Sequence, residues 1–302
     1  MSVPVLNASG CLDALAAPEV ARSLDAFVTK TITPRPREGN PPARIAETEA
    51  GMLNSIGLQG PGVDAFVREH LPRLEAVGVP LWVSVGGFSA ADYARCCERL
   101  DDRGEVAVIE LNLSCPNVEE APESAAELVA AARAATGKPL FAKLSPATWD
   151  IAETARAVAA AGADGLSLVN TIRGLALDPA TLRPRLGRAL GGYSGPALRP
   201  VALACVYACA CAVDLPIVGM GGVGSGDAAL ELVAAGASAV ALGTILFADP
   251  EAPERVRGEL ADAAAARGLP GPLAAHRLAL EHVQNPGRTV EKSLEMGEKD
   301  RA

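Results

Sequence analysis

Residues 140–170, "LFAKLSPATWDIAETARAVAAAGADGLSLVN", contain a predicted strand, helix and second strand in succession. The apolar runs at 140–144 and 165–170 are short, and apolar residues recur at helical spacing over 150–163 between them. Two strands joined by a helical crossover of this kind are predicted to lie parallel in one sheet. The unit therefore predicts an α/β fold.

The same alternation runs along most of the 302 residues. Helical patterns recur at 124–136 and 226–237. Further strands are predicted at 3–7, 26–31, 81–85, 106–112, 217–221 and 239–243. Eight βα units in one chain favour a closed (β/α)8 TIM barrel over a doubly wound sheet.

Two segments, 32–80 and 171–200, are longer than ordinary strand-to-helix connections. They predict long βα loops at the C-terminal face of the barrel, where such barrels carry their active sites. We predict a single domain over 1–283, followed by a polar C-terminal tail over 284–302.

The composition narrows the class of protein. A formal net charge of -9 argues against a non-specific nucleic-acid surface, because nothing would neutralise phosphates in bulk. Seven cysteines without CxxC spacing indicate neither a disulfide framework nor a metal site, and they favour a reducing cytoplasm. The N-terminus has no signal-peptide pattern, and no apolar run is long enough to span a membrane, so a soluble cytoplasmic protein is expected.

Polar residues follow several predicted strands and should meet at the mouth of the barrel. They are Asn54, Asn112, Asn117, Asn170, Lys30 and Lys143. Any single asparagine after a strand is most often a turn former. Several converging amides suit a flat heterocycle with carbonyl and N–H groups, and buried lysines suit an anionic ligand or developing negative charge.

Two glycine-rich turns, 219–228 and 241–244, follow the last two predicted strands. Barrels commonly hold a phosphate in the loops after strands seven and eight, where backbone N–H groups and a helix N-terminus can bind it. The spacing predicts a phosphate site there.

Cys115 lies in "ELNLSCPN", residues 110–117, just past a predicted strand end. A cysteine is more often a small buried hydrophobe than a reagent. None of the three histidines follows a strand, so a thiolate with a tuned pKa is an alternative candidate for a general base.

Together these stretches resemble the class 1 dihydroorotate dehydrogenases, and most closely their class 1B branch. The matching blocks cover about residues 5–250 and include "VTKTITPRPREGNPPARIAET" at 28–48, "GMLNSIGLQGPG" at 51–62, "ELNLSCPN" at 110–117 and "GGYSGPALRP" at 191–200. The resemblance implies a TIM barrel that binds FMN and oxidises dihydroorotate to orotate in pyrimidine (UMP) biosynthesis. It also implies a homodimer and a second subunit, carrying FAD and a 2Fe-2S cluster, that passes electrons to NAD.

The resemblance also implies roles for individual residues. Cys115 would remove the C5 proton of dihydroorotate while hydride leaves C6 for flavin N5. The substrate would be held by Lys30, Asn54, Ser55, Ile56, Gly57, Leu58, Asn112, Asn117, Asn170 and Thr171.

The same resemblance assigns contacts to FMN, with Lys143 beside the flavin ring. The contacts implied are Ser9, Lys30, Thr31, Asn112, Lys143, Val169, Gly195, Gly221, Gly222, Gly243 and Thr244.

Three features depart from the family pattern: the family's short segment ahead of the first barrel strand is not seen in this sequence, the segment after Asn117 is short, and Ser84 stands where the branch usually has asparagine. Three alternatives stay open at this point. They are a dihydropyrimidine dehydrogenase acting on uracil or thymine, a class 1A enzyme that reduces fumarate, and a flavin-binding paralogue with little turnover.

Overall fold

The computed structural model describes residues 2–113 and 124–284. Twelve strands form within these residues. In chain order they are β1 (Val5–Asn7), β2 (Phe27–Val28), β3 (Ile45–Thr48), β4 (Gly51–Asn54), β5 (Leu81–Val85), β6 (Val106–Asn112), β7 (Leu140–Lys143), β8 (Gly165–Leu168), β9 (Ile172–Leu175), β10 (Leu190–Ser194), β11 (Ile217–Met220) and β12 (Ala239–Leu242). Eight of them form one parallel sheet in the order β1-β12-β11-β8-β7-β6-β5-β2. The predicted (β/α)8 barrel is confirmed.

Helices connect these strands and lie outside them. They are α1 (Pro18–Arg22), α2 (Val63–Ala65), α3 (Leu71–Glu75), α4 (Ala90–Asp101), α5 (Ala125–Ala135), α6 (Ile151–Ala160), α7 (Arg199–Ala212), α8 (Gly226–Ala234), α9 (Ala252–Ala265) and α10 (Leu278–Gln284). Successive helices from α4 to α9 contact each other around the barrel. None of the described helices has the length and apolar character needed to cross a bilayer.

Several of these helices begin where a side chain caps free backbone N–H groups. Ser89, Ser124, Asp150 and Ser225 accept hydrogen bonds from the third residue beyond them at the starts of α4, α5, α6 and α8. Such caps fix where the chain leaves each preceding connection, and hence where the residues at the barrel mouth lie.

Asn7 closes the barrel between its first and last strands. Only a single β-bridge, Leu6 to Ala26, joins β1 to β2. The fully buried Asn7 amide replaces the missing ladder, since Nδ2 donates to the Val28 carbonyl and Oδ1 accepts from the Val28 N–H, both at 2.8 Å. Asn7 therefore has a structural role and does not line the pocket described below.

The barrel interior contains an apolar cluster, and buried polar side chains lie nearer the mouth on part of the barrel. The apolar cluster comes from β1, β2, β11 and β12 and consists of Leu6, Ala26, Val28, Val218, Met220 and Ala241. On the opposite strands, Trp82 and Phe141 pack with ring centroids 4.6 Å apart. Nearer the mouth, the same strands bury Ser84, Glu110 and Lys143. Buried polar groups thus lie under part of the mouth.

The two long connections were expected as loops, but they also carry strands. β3, β4, β9 and β10 form a four-stranded antiparallel sheet in the order β3-β4-β10-β9, with Asn54 opposite Gly192. Its strands have four or five residues and lie among prolines and glycines, so no alternating pattern identified them. This second sheet covers one side of the mouth.

Candidate active site

A pocket of about 660 Å³ opens at the carboxyl ends of the barrel strands and is lined on one side by the second sheet. This volume is in the range of ligand and cofactor sites. The structure brings eighteen of the predicted site residues together there: Ser9, Lys30, Thr31, Asn54, Ser55, Ile56, Gly57, Leu58, Asn112, Lys143, Val169, Asn170, Thr171, Gly195, Gly221, Gly222, Gly243 and Thr244. Cys115 and Asn117 lie outside the described residues.

A chain of hydrogen bonds orders the amides on the floor of the pocket. Asn170 Nδ2 donates to Asn112 Oδ1 at 3.1 Å, and Asn112 Nδ2 donates to Thr31 Oγ1 at 3.1 Å. The Thr31 hydroxyl also lies 3.1 Å from Ser84 Oγ and 3.3 Å from Ser9 Oγ. These side chains are held in fixed orientations before any ligand binds, which lowers the entropy cost of binding one.

The segment 54–58 forms a rigid wall of the pocket. The buried Asn40 donates from Nδ2 to Ser55 Oγ at 2.9 Å, and Asn54 Nδ2 donates to the Gly192 carbonyl at 3.2 Å. Gly57 has φ +77°, and a Cβ there would lie 2.4 Å from Asn40 Oδ1. Only glycine fits that position, so the wall packs closely against Asn40.

The pocket is strongly cationic. None of the described residues that line it is acidic, and five carry a positive charge: Lys30, Lys143, Arg37, Arg173 and Arg188. Solvent reaches Lys30 through the pocket, but protein groups surround much of the side chain. The resulting desolvation lowers the pKa of Lys30, and repulsion from Lys143 lowers it further. The site therefore favours anionic ligands.

The loops after β11 and β12 form a glycine cradle. Gly221 and Gly222 have φ +118° and +75°, a region that side chains rarely adopt, and a Cβ on Gly222 would lie 2.7 Å from Arg199 Cβ. Ser225 caps α8, whose N-terminus follows this loop. Thr244 donates from its hydroxyl to Ser194 Oγ at 2.8 Å, which joins the loop after β12 to the second sheet. Exposed backbone N–H groups next to a helix N-terminus can bind a phosphate.

Comparison with known proteins identifies the family. The sequence model described as dihydroorotate dehydrogenase matches residues 1–263. The chain belongs to the dihydroorotate dehydrogenase family.

The names of similar proteins are consistent with this family assignment. The chain is 46% identical over 267 residues to the dihydroorotate dehydrogenase B (NAD(+)) catalytic subunit of Geobacter metallireducens, which covers 85% of this chain and 88% of that protein. It is also 46% identical over 245 residues to the putative dihydroorotate dehydrogenase A (fumarate) of Solibacter usitatus, covering 79% and 81%. The solved structure of DHODH from Eimeria tenella in complex with ferulenol has a TM-score of 0.76 at 24% identity, covering 91% of this chain and 85% of that chain, and supports the fold.

Dihydroorotate dehydrogenases depend on FMN, and the described residues of this family member fit that group. The glycine cradle can accept its phosphate, and the ordered amides and hydroxyls can contact the ring system. Lys143 ends β7 inside the barrel mouth, where a buried ammonium favours negative charge on a ligand.

Sequence reasoning did not identify several residues of this pocket. Arg37, Arg173 and Arg188 come from the long connections, where no periodic pattern indicates which side chains face inward. Arg37 lies over the Phe88 ring with its Cζ 4.6 Å from the centroid, at the edge of the pocket. The density of arginines in segments 32–80 and 171–200 is the signal that could have suggested an anionic ligand.

Cys11 contributes a thiol to this pocket. Burial raises its pKa, although the charges of Lys143 and Lys30 act in the opposite direction. A thiol with a raised pKa holds its proton and is a poor base at neutral pH.

Proposed function

We propose that this chain is an FMN-binding catalytic subunit that oxidises dihydroorotate to orotate in pyrimidine biosynthesis. The observation that carries the proposal is the combination in one pocket of a glycine cradle, ordered amides and five cations without a described carboxylate. Dihydroorotate is a small ring with amide groups and a carboxylate. It therefore needs both uncharged hydrogen-bonding partners and positive charge.

Each group of residues has a proposed task. The ring is bound by Asn54, Asn112 and Asn170, and the carboxylate is bound by Lys30 together with backbone of the segment 54–58. Bound FMN would supply the acceptor for the hydride that leaves the substrate. The FMN contacts are proposed as Ser9, Lys30, Thr31, Asn112, Lys143, Val169, Gly195, Gly221, Gly222, Gly243 and Thr244.

Cys115 is the proposed general base. Among the described cysteines, Cys11 lines the pocket, and its raised pKa argues against a role as base. Cys11→Ser is therefore a matched control for Cys115→Ser, because each variant replaces one thiol by a hydroxyl. We expect the reduction of bound FMN by dihydroorotate to slow at least a hundredfold in Cys115→Ser and less than about threefold in Cys11→Ser. Equal rates in Cys115→Ser and the parent protein would remove this residue from the mechanism.

The electron acceptor is proposed to be NAD, reached through a partner subunit that carries FAD and a 2Fe-2S cluster. The name of the Geobacter metallireducens relative supports this proposal, whereas the name of the Solibacter usitatus relative points to fumarate. Co-purification of the chain with its binding partners, followed by assays with NAD and with fumarate, distinguishes the two acceptors. A homodimer is proposed as the catalytic core, and the molar mass in solution tests it.

Anaerobic mixing of the FMN-loaded protein with dihydroorotate or with dihydrouracil tests the substrate. We expect the flavin absorbance to bleach with dihydroorotate and to stay unchanged with dihydrouracil, because dihydrouracil has no carboxylate for the cations to bind. Faster bleaching with dihydrouracil would replace the proposal with a dihydropyrimidine dehydrogenase activity. A flavin spectrum that orotate perturbs but that neither substrate bleaches would indicate a paralogue without turnover.

A further inference from the structure

A buried acid lies directly beneath the pocket. Glu110 is on β6, two residues before Asn112, so its side chain faces the same side of the strand one layer deeper in the barrel. Its side chain is only 1% exposed, and it does not line the pocket. Its Oε1 atom has no hydrogen-bond partner among the described residues. An ionised carboxylate in that position is costly unless a charge compensates it.

The compensating charge is Lys143. Its Nζ lies 3.7 Å from Glu110 Oε1, which is beyond hydrogen-bond distance but within the range of an ion pair. Lys143 lies opposite Asn112 in the β6–β7 register and lines the pocket. Because Glu110 is below the pocket and Lys143 is at its surface, the carboxylate can affect a ligand only through its field and through the position of the lysine.

The charge of Lys143 acts on other groups at the mouth. It contributes, after desolvation, to the lowered pKa of Lys30, and it opposes the raised pKa of Cys11. Two charges removed from water cost more than a hydrophobic pair of the same size would, so their pair is weak evidence for stability alone. A role at the site accounts better for a buried acid in this position.

We infer that Glu110 is a positioning residue: its carboxylate holds the Lys143 ammonium in place and offsets part of its charge, and so sets the reduction potential of bound FMN. This inference rests on the proposed function, because it requires FMN beside Lys143. Reduction adds two electrons and one proton to the flavin and leaves the ring with a negative charge. The ammonium favours that form, and the carboxylate behind it disfavours it.

The test is the midpoint potential of FMN bound to Glu110→Gln, which keeps the shape of the side chain and removes its charge. We expect the midpoint to rise by at least the equivalent of a tenfold change in the reduction equilibrium, which is about 30 mV for a two-electron couple. Glu110→Asp keeps the charge and should remain close to the parent protein.

Ser167→Ala provides a matched control. Ser167 lies opposite Lys143 in the β7–β8 register, is fully buried, and has an Oγ atom without a hydrogen-bond partner among the described residues. Its substitution changes a buried polar side chain near the same lysine without changing charge. A midpoint that is unchanged or lower in Glu110→Gln, or a rise of equal size in Ser167→Ala, would overturn the inference.

A second measurement tests the ion pair if the Glu110→Gln protein does not bind FMN or is too unstable for a potential to be measured. Unfolding of the FMN-free parent, Glu110→Gln, Lys143→Gln and the double variant forms a double-mutant cycle. We expect the double variant to be more stable than the sum of the two single effects predicts, by at least a factor of ten in the unfolding constant. The reason is that each single variant removes one member of the ion pair and keeps the other buried, whereas the double variant removes both. Additive effects would overturn the pairing. A parent protein that binds no FMN would instead refute the proposed function, and the cycle would still test the pair.

Discussion

Gly222 should be indispensable to the cofactor cradle, and Gly222→Ala tests this. The residue has φ +75°, and the added Cβ would lie 2.7 Å from Arg199 Cβ and 2.9 Å from the Arg199 backbone nitrogen. The left-handed conformation costs an L-residue about 1–3 kcal/mol, and an overpacked contact costs about 1–3 kcal/mol more. We therefore expect the free energy of unfolding to fall by roughly 2–6 kcal/mol, or the loop to move and weaken FMN binding at least tenfold.

Gly224→Ala is the control in the same loop. Gly224 also lines the pocket, but a Cβ there meets no heavy atom within 4 Å. Replacing a glycine by alanine in a compatible conformation changes stability by about 1 kcal/mol or less, and in the stabilising direction. Both variants lose one glycine from the same segment, so their difference reports the need for φ above zero and for close approach at Gly222.

The assay combines denaturant unfolding of the FMN-free protein with FMN titration by flavin fluorescence. The free energy of unfolding falls if the loop keeps its conformation and the strain remains in the folded protein. The affinity for FMN falls if the loop moves to relieve the strain. If Gly222→Ala and Gly224→Ala unfolded at the same denaturant concentration and bound FMN within twofold of each other, the cradle would not depend on the glycine backbone. The assignment of this loop to phosphate binding would then lose its structural basis.

Three further predictions follow from individual contacts. Asn7→Ala should lower the free energy of unfolding by about 2–5 kcal/mol in denaturant titration, because it leaves the buried N–H and C=O of Val28 without partners. Lys30→Met should stabilise the FMN-free protein at pH 7 yet weaken orotate binding at least tenfold, as thermal unfolding and ligand titration would show. Between the lowered pKa of Lys30 in the folded protein and its ordinary value, the folded state of the parent holds fewer protons than the unfolded state. The stability of the parent therefore rises with pH across that window. The rise should be smaller in Lys30→Met. Arg188→Gln should slow orotate association in stopped flow and reduce its dependence on ionic strength, because it removes a cation from the pocket lining.

The barrel was predictable from sequence because its strands are short apolar runs separated by amphipathic helices. The predicted strands at 81–85 and 106–112 match β5 and β6 residue for residue. The predicted helix at 150–163 corresponds to α6, whose cap is Asp150. Local periodicity determines these elements. The rule that active sites lie at strand C-termini then indicated Lys30, Asn112, Lys143 and Asn170, and the family resemblance implied most of the other predicted site residues.

The second sheet was not predictable in the same way. β4 pairs with β10 through contacts such as that between Asn54 and Gly192, which are 138 residues apart in the chain. No local pattern encodes such a pairing. Asn7 shows a related limit: its position at a strand end is compatible with a site residue, and only the structure shows that the side chain closes the barrel. The roles of the pocket residues stay predictions, as do those of Cys115 and Asn117, which lie outside the described residues.

The distribution of charge explains how an acidic protein can select an anionic substrate. The chain carries a formal net charge of -9, so its field at long range repels dihydroorotate. At an ionic strength of 0.1 M that field is screened beyond about 10 Å, and a substrate near the mouth responds mainly to the nearest charges. Among the described residues, those charges are the five cations of the lining. The lining and the rest of the chain therefore have net charges of opposite sign. Positive charge attracts the substrate only within the mouth, where the ordered amides can form hydrogen bonds with an anion that also has the right ring.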